Sequence, residues 1–284
     1  MRRILFRQGA DATGRNSMTD LHTAAKRCLD AADPAEKLRL TRATWDALLA
    51  GKLRADNSSP PPESIGAPGR PAKPLLVNAR QVPQRGLGTA EGRAALVHAV
   101  AHIEFNAINL AWDAVYRFRG KPDAYYLDWA SCANDEARHF AMLAGRLAEL
   151  DHVYGDFDAH DGLWAMAEKT ADNDMARMAL VPRVLEARGL DVTPGMIERL
   201  RHLGDTRTVA ILEVILREEV AHVAAGTRWY RYCCERDGVD PAEHFFELLR
   251  EYMGVSLRGP FNLPARREAG FDEHELDQLL ALMP

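Results

Sequence analysis

The chain has 284 residues, 47% of them hydrophobic, a formal charge of −5 and an isoelectric point near 6.1. That is enough apolar material for one large core with appendages, and it lacks the basic excess that draws a whole domain onto nucleic acid. No uninterrupted apolar run approaches the roughly 18 residues of a membrane span, and the apolar stretch before Arg7 is too short for a signal-peptide core.

Residues 1–18 read as a disordered extension, with Met18 an alternative start. Two short helices are expected between 19 and 51, in "TDLHTAAKRCLDAAD" and in "DPAEKLRLTRATWDALLAG", the second opened by Asp-Pro and closed by Gly51. Residues 55–89 carry seven prolines between Pro60 and Pro83 and read as an extended arm laid over the surface. The segment 19–89 is thus expected to pack on a bundle formed by 90–236. Long helices are expected near 90–119, 123–151, 172–189 and 206–236, with 152–171 and 190–205 as connections. The remainder, 237–284, reads as short helices at 241–252 and 272–283 around a Pro- and Arg-rich loop at 258–271. No stretch alternates as a strand does, so the fold class is all-α with four long helices as its core. Cys28, Cys132, Cys233 and Cys234 form no CxxC pair and read as filler thiols of a reducing, cytoplasmic compartment.

Steps of three and four residues pick out one face of each long helix. The first stripe is Val97, Ala101, Glu104, Ile108, Ala111, Val115 and Phe118. The second is Trp129, Cys132, Glu136, His139, Leu143 and Leu150. The third is Met175, Ala179, Pro182 and Glu186, and the fourth is Leu212, Ile215, Glu219, His222, Gly226 and Trp229. Each apolar stripe is interrupted near its middle by a Glu, and two carry a His three residues later. Four buried carboxylates would repel one another and cost several kcal/mol each without partners. No Lys or Arg breaks the stripes to neutralise them.

Two divalent cations would balance four Glu and leave two imidazoles as nitrogen donors. A lone Glu on each of two helices and Glu-x-x-His on each of the other two is a dinuclear carboxylate ligand set. Residues three apart share a face with ~4.5 Å of rise, so both reach one ion pair. Glu104 and Glu136 are 32 residues apart and Glu186 and Glu219 are 33 apart, as expected of two hairpins. Asp135 and Glu218 each precede a ligand and are candidates to accept the outer N–H of a histidine; whether Asp135 serves His139 or His222 is open. His98 and His102 point away from Glu104 and are expected to be structural. Arg258, Arg266 and Arg267 read as loop or salt-bridge residues, with an anion clamp as the competing reading.

The set Glu104, Glu136-Ala-Arg-His139, Glu186 and Glu219-Val-Ala-His222 resembles the ferritin-like superfamily, and "DEARH" is similar to the DExRH signature of its di-iron monooxygenases. "HIEFNAINLAWDAVYRF", "VLEARGLDVTPGM", "REEVAHVAAGTRWY" and "GPFNLPARREAGF" more closely resemble an uncharacterised bacterial ferritin-like family that carries a domain-of-unknown-function label. The resemblance covers most of the chain from about residue 20 to 283. It implies a ferritin-like four-helix bundle with extra terminal helices, and metal ligands, without a substrate.

The leading expectation is a di-iron oxidoreductase, with di-manganese or mixed Fe/Mn as alternatives. It would use O2 or peroxide on an unidentified substrate, by hydroxylation or dehydrogenation, with an electron-donor protein as a candidate partner. The competing readings are iron handling (ferroxidase, storage or peroxide detoxification) and a metal-stabilised scaffold that binds a partner protein.

Overall fold

Helix starts coincide with side chains that accept the first free backbone N–H groups. Asp20 caps α1 (Leu21–Asp30), Asp33 followed by Pro34 opens α2 (Pro34–Leu49), and Thr89 caps α3 (Ala90–Arg117). After Gly120 and Pro122 comes α4 (Asp123–Glu149), then a short α5 (Gly162–Lys169). Asn173 caps α6 (Asp174–Leu180), which runs through a π-turn (Val181–Glu186) into α7 (Ala187–His202). Asp205 caps α8 (Thr206–Asp237), which stops at Gly238 in the left-handed conformation, φ 69°. α9 (Pro241–Met253), α10 (Leu263–Glu268) and α11 (Glu273–Ala281) complete the chain. This computed structural model describes residues 20–56, 59–254 and 257–282; the expected extension 1–18, with Met18, lies outside them. Among the described residues there is no strand beyond two isolated bridges, Asp20 with Arg54 and Leu76 with Ala159. The protein is all-α.

Three expected connections are partly helical. The stretch 190–205 is α7 as far as His202, although Gly189, Pro194 and Gly195 read as breakers. Burial of Leu190, Ile197 and Leu200 on one face holds the helix through Pro194, a case of packing overriding local propensity. Likewise 152–171 contains α5, where Trp164 is buried, and 258–271 contains α10. Pro182 lies in the π-turn: proline has no N–H to give the helix ladder, and the register widens around it.

α3 packs along α4, and α8 packs along α6, the π-turn and α7; α4 against α8 joins the two pairs. The stripes of α3 and α8 are buried throughout, and that of α4 is buried from Trp129 to Leu143. α3 has the length and hydropathy of a membrane-crossing helix, but 72% of its apolar window is buried inside the structure. α1 packs on α3 and α2 on α4. Three hydrogen bonds tie the arm to the helices. Glu63 N–H donates to Tyr116 at 2.8 Å, Trp164 Nε1 donates to the Gly66 carbonyl at 2.7 Å, and Gly69 N–H donates to Leu29 at 2.8 Å. A Cβ on Gly69 would lie 2.2 Å from the Asp30 carbonyl oxygen, so glycine is required for that approach.

Candidate metal centre

Glu104 enters from the middle of α3, Glu136 and His139 from α4, Glu186 from the end of the π-turn, and Glu219 and His222 from α8. Glu104, Glu136, His139, Glu219 and His222 are buried, and Glu186 is half-buried. One donor atom from each of Glu104, Glu136, His139 and Glu219 lies within 4.8 Å of the other three. His222 joins this group through Nδ1, 2.9 Å from Glu136 and 3.3 Å from Glu219. Glu186 is outside the four-donor group but near enough for the charges of Glu136 and Glu219 to act on it.

The two imidazoles are used alike. Each turns Nδ1 inward and Nε2 outward. His139 Nδ1 is 3.1 Å from Glu104 and 3.4 Å from Glu136, while its Nε2 donates to Glu218 at 2.7 Å. The outer nitrogen of His222 is 3.5 Å from Asp135. The outer acids therefore serve the histidine of the opposite helix, which decides the pairing that the sequence left open. Arg138 ties the two acids together, at 2.9 Å from Asp135 and 2.6 Å from Glu218. It sits in "DEARH" itself, three residues after Asp135, but only its contact across to α8 shows its role.

The electrostatics are those of a site short of cations. Burial, then the charge of Glu136, pushes the Glu104 carboxyl well above its ordinary value. Burial, then the charges of Glu136 and Glu219, pushes Glu186 up to about 8, and burial and Glu136 raise Glu219. Burial also acts on Glu136, but His222 and His139 outweigh it and hold this carboxylate well below the usual range. Burial disfavours a charged His139, yet its bonds to Glu104 and Glu136 carry it up to about 11. With no metal, protons take the place of cations among these groups.

Two observations bear on whether an ion fits. Oε2 of Glu136 is buried with no hydrogen-bond partner, and buried His222 meets Glu136 and Asp135 at 2.9 and 3.5 Å without a well-aligned hydrogen bond; such buried atoms are costly unless something binds them. The hydrogen bond from His139 Nε2–H to Glu218 fixes which nitrogen keeps its proton, so an ion that displaced the inner proton would meet a lone pair at Nδ1. The donors are oxygen and nitrogen, and Cys132, buried one turn before Glu136, is pushed up to about 12 chiefly by burial, so it stays a thiol. The donor group fits a hard or borderline divalent cation.

The remaining candidates have structural partners. His98 accepts from Gly155 N–H at 2.9 Å and His102 Nδ1 lies 2.9 Å from the Tyr154 hydroxyl, pinning the segment after α4. Arg266 is buried against Asp191 at 2.7 Å, and Arg267 pairs with Glu273. The Arg258 carbonyl accepts from Arg188 at 2.8 Å. Gly226 was visible on its stripe but not as a contact: a Cβ there would lie 2.4 Å from Pro182, so glycine lets α8 close on the π-turn.

The chain is 44% identical over 271 residues, 92% of this chain and 93% of the relative, to an uncharacterized protein of Haemophilus influenzae. No solved structure matches it. A family described as "Protein of unknown function (DUF455)" matches residues 30–277. With nearly the whole chain inside that match, the protein belongs to this family of unknown function.

Proposed function

We propose that this protein is a ferritin-like dinuclear carboxylate oxidoreductase that holds two iron ions, or manganese in their place, and uses O2 or peroxide to oxidise an organic substrate. One observation carries the reading. Carboxylates of Glu104, Glu136 and Glu219 from three helices meet in the interior with two imidazoles beside them, Glu186 is near enough to feel their charge, and among the described residues no Lys or Arg forms an ion pair with any of the four. A Glu from each of two helices and Glu-x-x-His from each of two others is the ligand set of di-iron and di-manganese bundle proteins.

In this reading Glu104, Glu136, His139, Glu186, Glu219 and His222 hold the ions. The bound pair would supply redox chemistry toward O2 or peroxide that no side chain here can perform. The protein's own part is positioning and electrostatics. Glu218 and Asp135 orient the imidazoles from outside, and Arg138 holds both acids in register. The apolar stripes above and below exclude water, which strengthens every charge interaction within.

Anaerobic Fe(II) loading followed by O2 exposure tests the proposal. Expected are about two irons per chain, a ferric charge-transfer spectrum, and loss of tight binding by more than about 100-fold in Glu104→Ala or Glu219→Ala, beyond the loss typical of outer partners. Unchanged metal content in those variants would sink the ligand assignment. Uptake of many irons per chain would favour the iron-handling reading instead.

A further inference from the structure

Glu186 differs from the other proposed carboxylate ligands in what holds it. Glu104, Glu136 and Glu219 sit inside continuous α-helices, whose own hydrogen-bond ladders fix their carboxylates. Glu186 ends a π-turn that contains Pro182, where the ladder is widened and one N–H is missing. Something outside that turn has to fix it.

We propose that the C-terminal segment 258–275 is the buttress that fixes this turn, with Arg183, Asp191, Arg266 and Glu275 as positioning residues for Glu186; the inference rests on the metal reading given above.

The chain is tied to that one segment on both sides of Glu186. Three residues before it, the fully buried Arg183 donates to Glu275 at 2.5 Å, and Glu275 is itself fully buried. The Arg183 guanidinium also lies 4.4 Å from the rings of Phe245 and Phe271 and 4.8 Å from that of Tyr230, distances at which a cation is attracted to an aromatic face. Five residues after Glu186, Asp191 takes a two-pronged bond from buried Arg266 at 2.7 and 3.0 Å, and accepts from Asn262 N–H at 2.9 Å. Between these ties, Arg188 donates to the carbonyls of Arg258 at 2.8 Å and Pro260 at 3.1 Å. Breaking a buried pair from one side leaves an uncompensated charge, so the segment cannot lift from the turn without a large penalty.

Glu275→Gln and Asp191→Asn in the full chain test this, with exposed Glu273→Gln on the same helix as control. Two readouts are needed: hydrogen exchange of the metal-free protein, and Co(II) titration followed by its visible absorption. In Glu275→Gln, amides of 183–187 should exchange at least tenfold faster while the middle of α3 and α4 keeps its protection. The number of tightly bound Co(II) should fall from two to one with an altered spectrum, and Glu273→Gln should change neither. Asp191→Asn should act in the same direction; if it does not fold, Glu275→Gln decides. Wild-type exchange at 183–187, or equal loosening of every helix, overturns the buttress. Faster exchange there with unchanged Co(II) binding overturns the positioning role. A wild-type chain that takes up no Co(II) overturns the metal reading, while the exchange comparison still decides whether the segment fixes the turn.

Discussion

The protein buries acids in two ways, and the contrast between them is informative. At the periphery of the core each buried acid has a guanidinium. Asp113 is clasped by Arg117 at 2.7 Å and Arg177 at 2.5 Å, Asp191 by Arg266, and Glu275 by Arg183. Buried Asp205 likewise pairs with Arg146 at 3.0 Å. At the centre, among the described residues, Glu104, Glu136, Glu186 and Glu219 form no ion pair with Lys or Arg and have mainly two imidazoles and each other, with Arg177 acting on Glu186 only as the weakest influence. A chain that pairs arginine with those four peripheral acids and with none of the four that share a site leaves that site to be neutralised by protons or by metal. The two regions should therefore respond oppositely to loss of negative charge.

The largest effect expected is on that difference. Asp191→Asn strands the buried Arg266 guanidinium and should cost about 3–5 kcal/mol in denaturant unfolding. Glu219→Gln in metal-free protein removes a carboxyl whose charged form is already disfavoured, and should leave stability equal or higher. Equal losses in both variants would erase the comparison.

The pH dependence of the metal-free protein sharpens it. Burial, then Glu136 and Glu219, raises Glu186 to about 8 from 4.5, so between those values the folded chain keeps a proton that the unfolded chain has released. Stability should fall as pH rises through that window, by up to a few kcal/mol. His139, raised to about 11 from 6.5 by Glu104 and Glu136 against its burial, extends the same sign to higher pH. Bound metal requires the deprotonated ligands, so metal affinity should strengthen over the same range. Melting temperatures with chelator and with metal, from pH 5 to 9, check both signs.

A smaller effect is the stabilisation by metal itself, about 2.7 kcal/mol at a hundredfold excess over the dissociation constant. Coincident melting curves at saturating Mn(II) and in chelator would contradict it. Smallest is Glu218→Gln, which weakens the hold on His139 Nε2 and should reduce metal affinity about 10–100-fold without emptying the site; a metal titration reads it directly.

Much of this was legible along the chain. The all-α class and the burial of Glu104, Glu136, His139, Glu219 and His222 follow from spacing, because residues three and four apart on a helix must share a face, whereas Glu186 is only half-buried. The extension of α7 through Pro194 was hidden by breaker residues whose local cost is overcome by the burial of Leu190 and Leu200. The crossed pairing of Glu218 with His139, 79 residues away, and the bridge from Arg138 to Glu218 had no local signal at all. Arg266 reads as a loop or salt-bridge residue and does form a salt bridge, but neither its burial nor its partner Asp191 had a local signal.

Sequence by itself determined which side chains face inward, since helical periodicity is a property of neighbours along the chain. Tertiary structure alone decided which of those residues meet, which acid supports which histidine, and that the C-terminal segment grips the turn bearing Glu186. Those are distances between groups far apart in sequence, set by how whole helices pack rather than by any one helix.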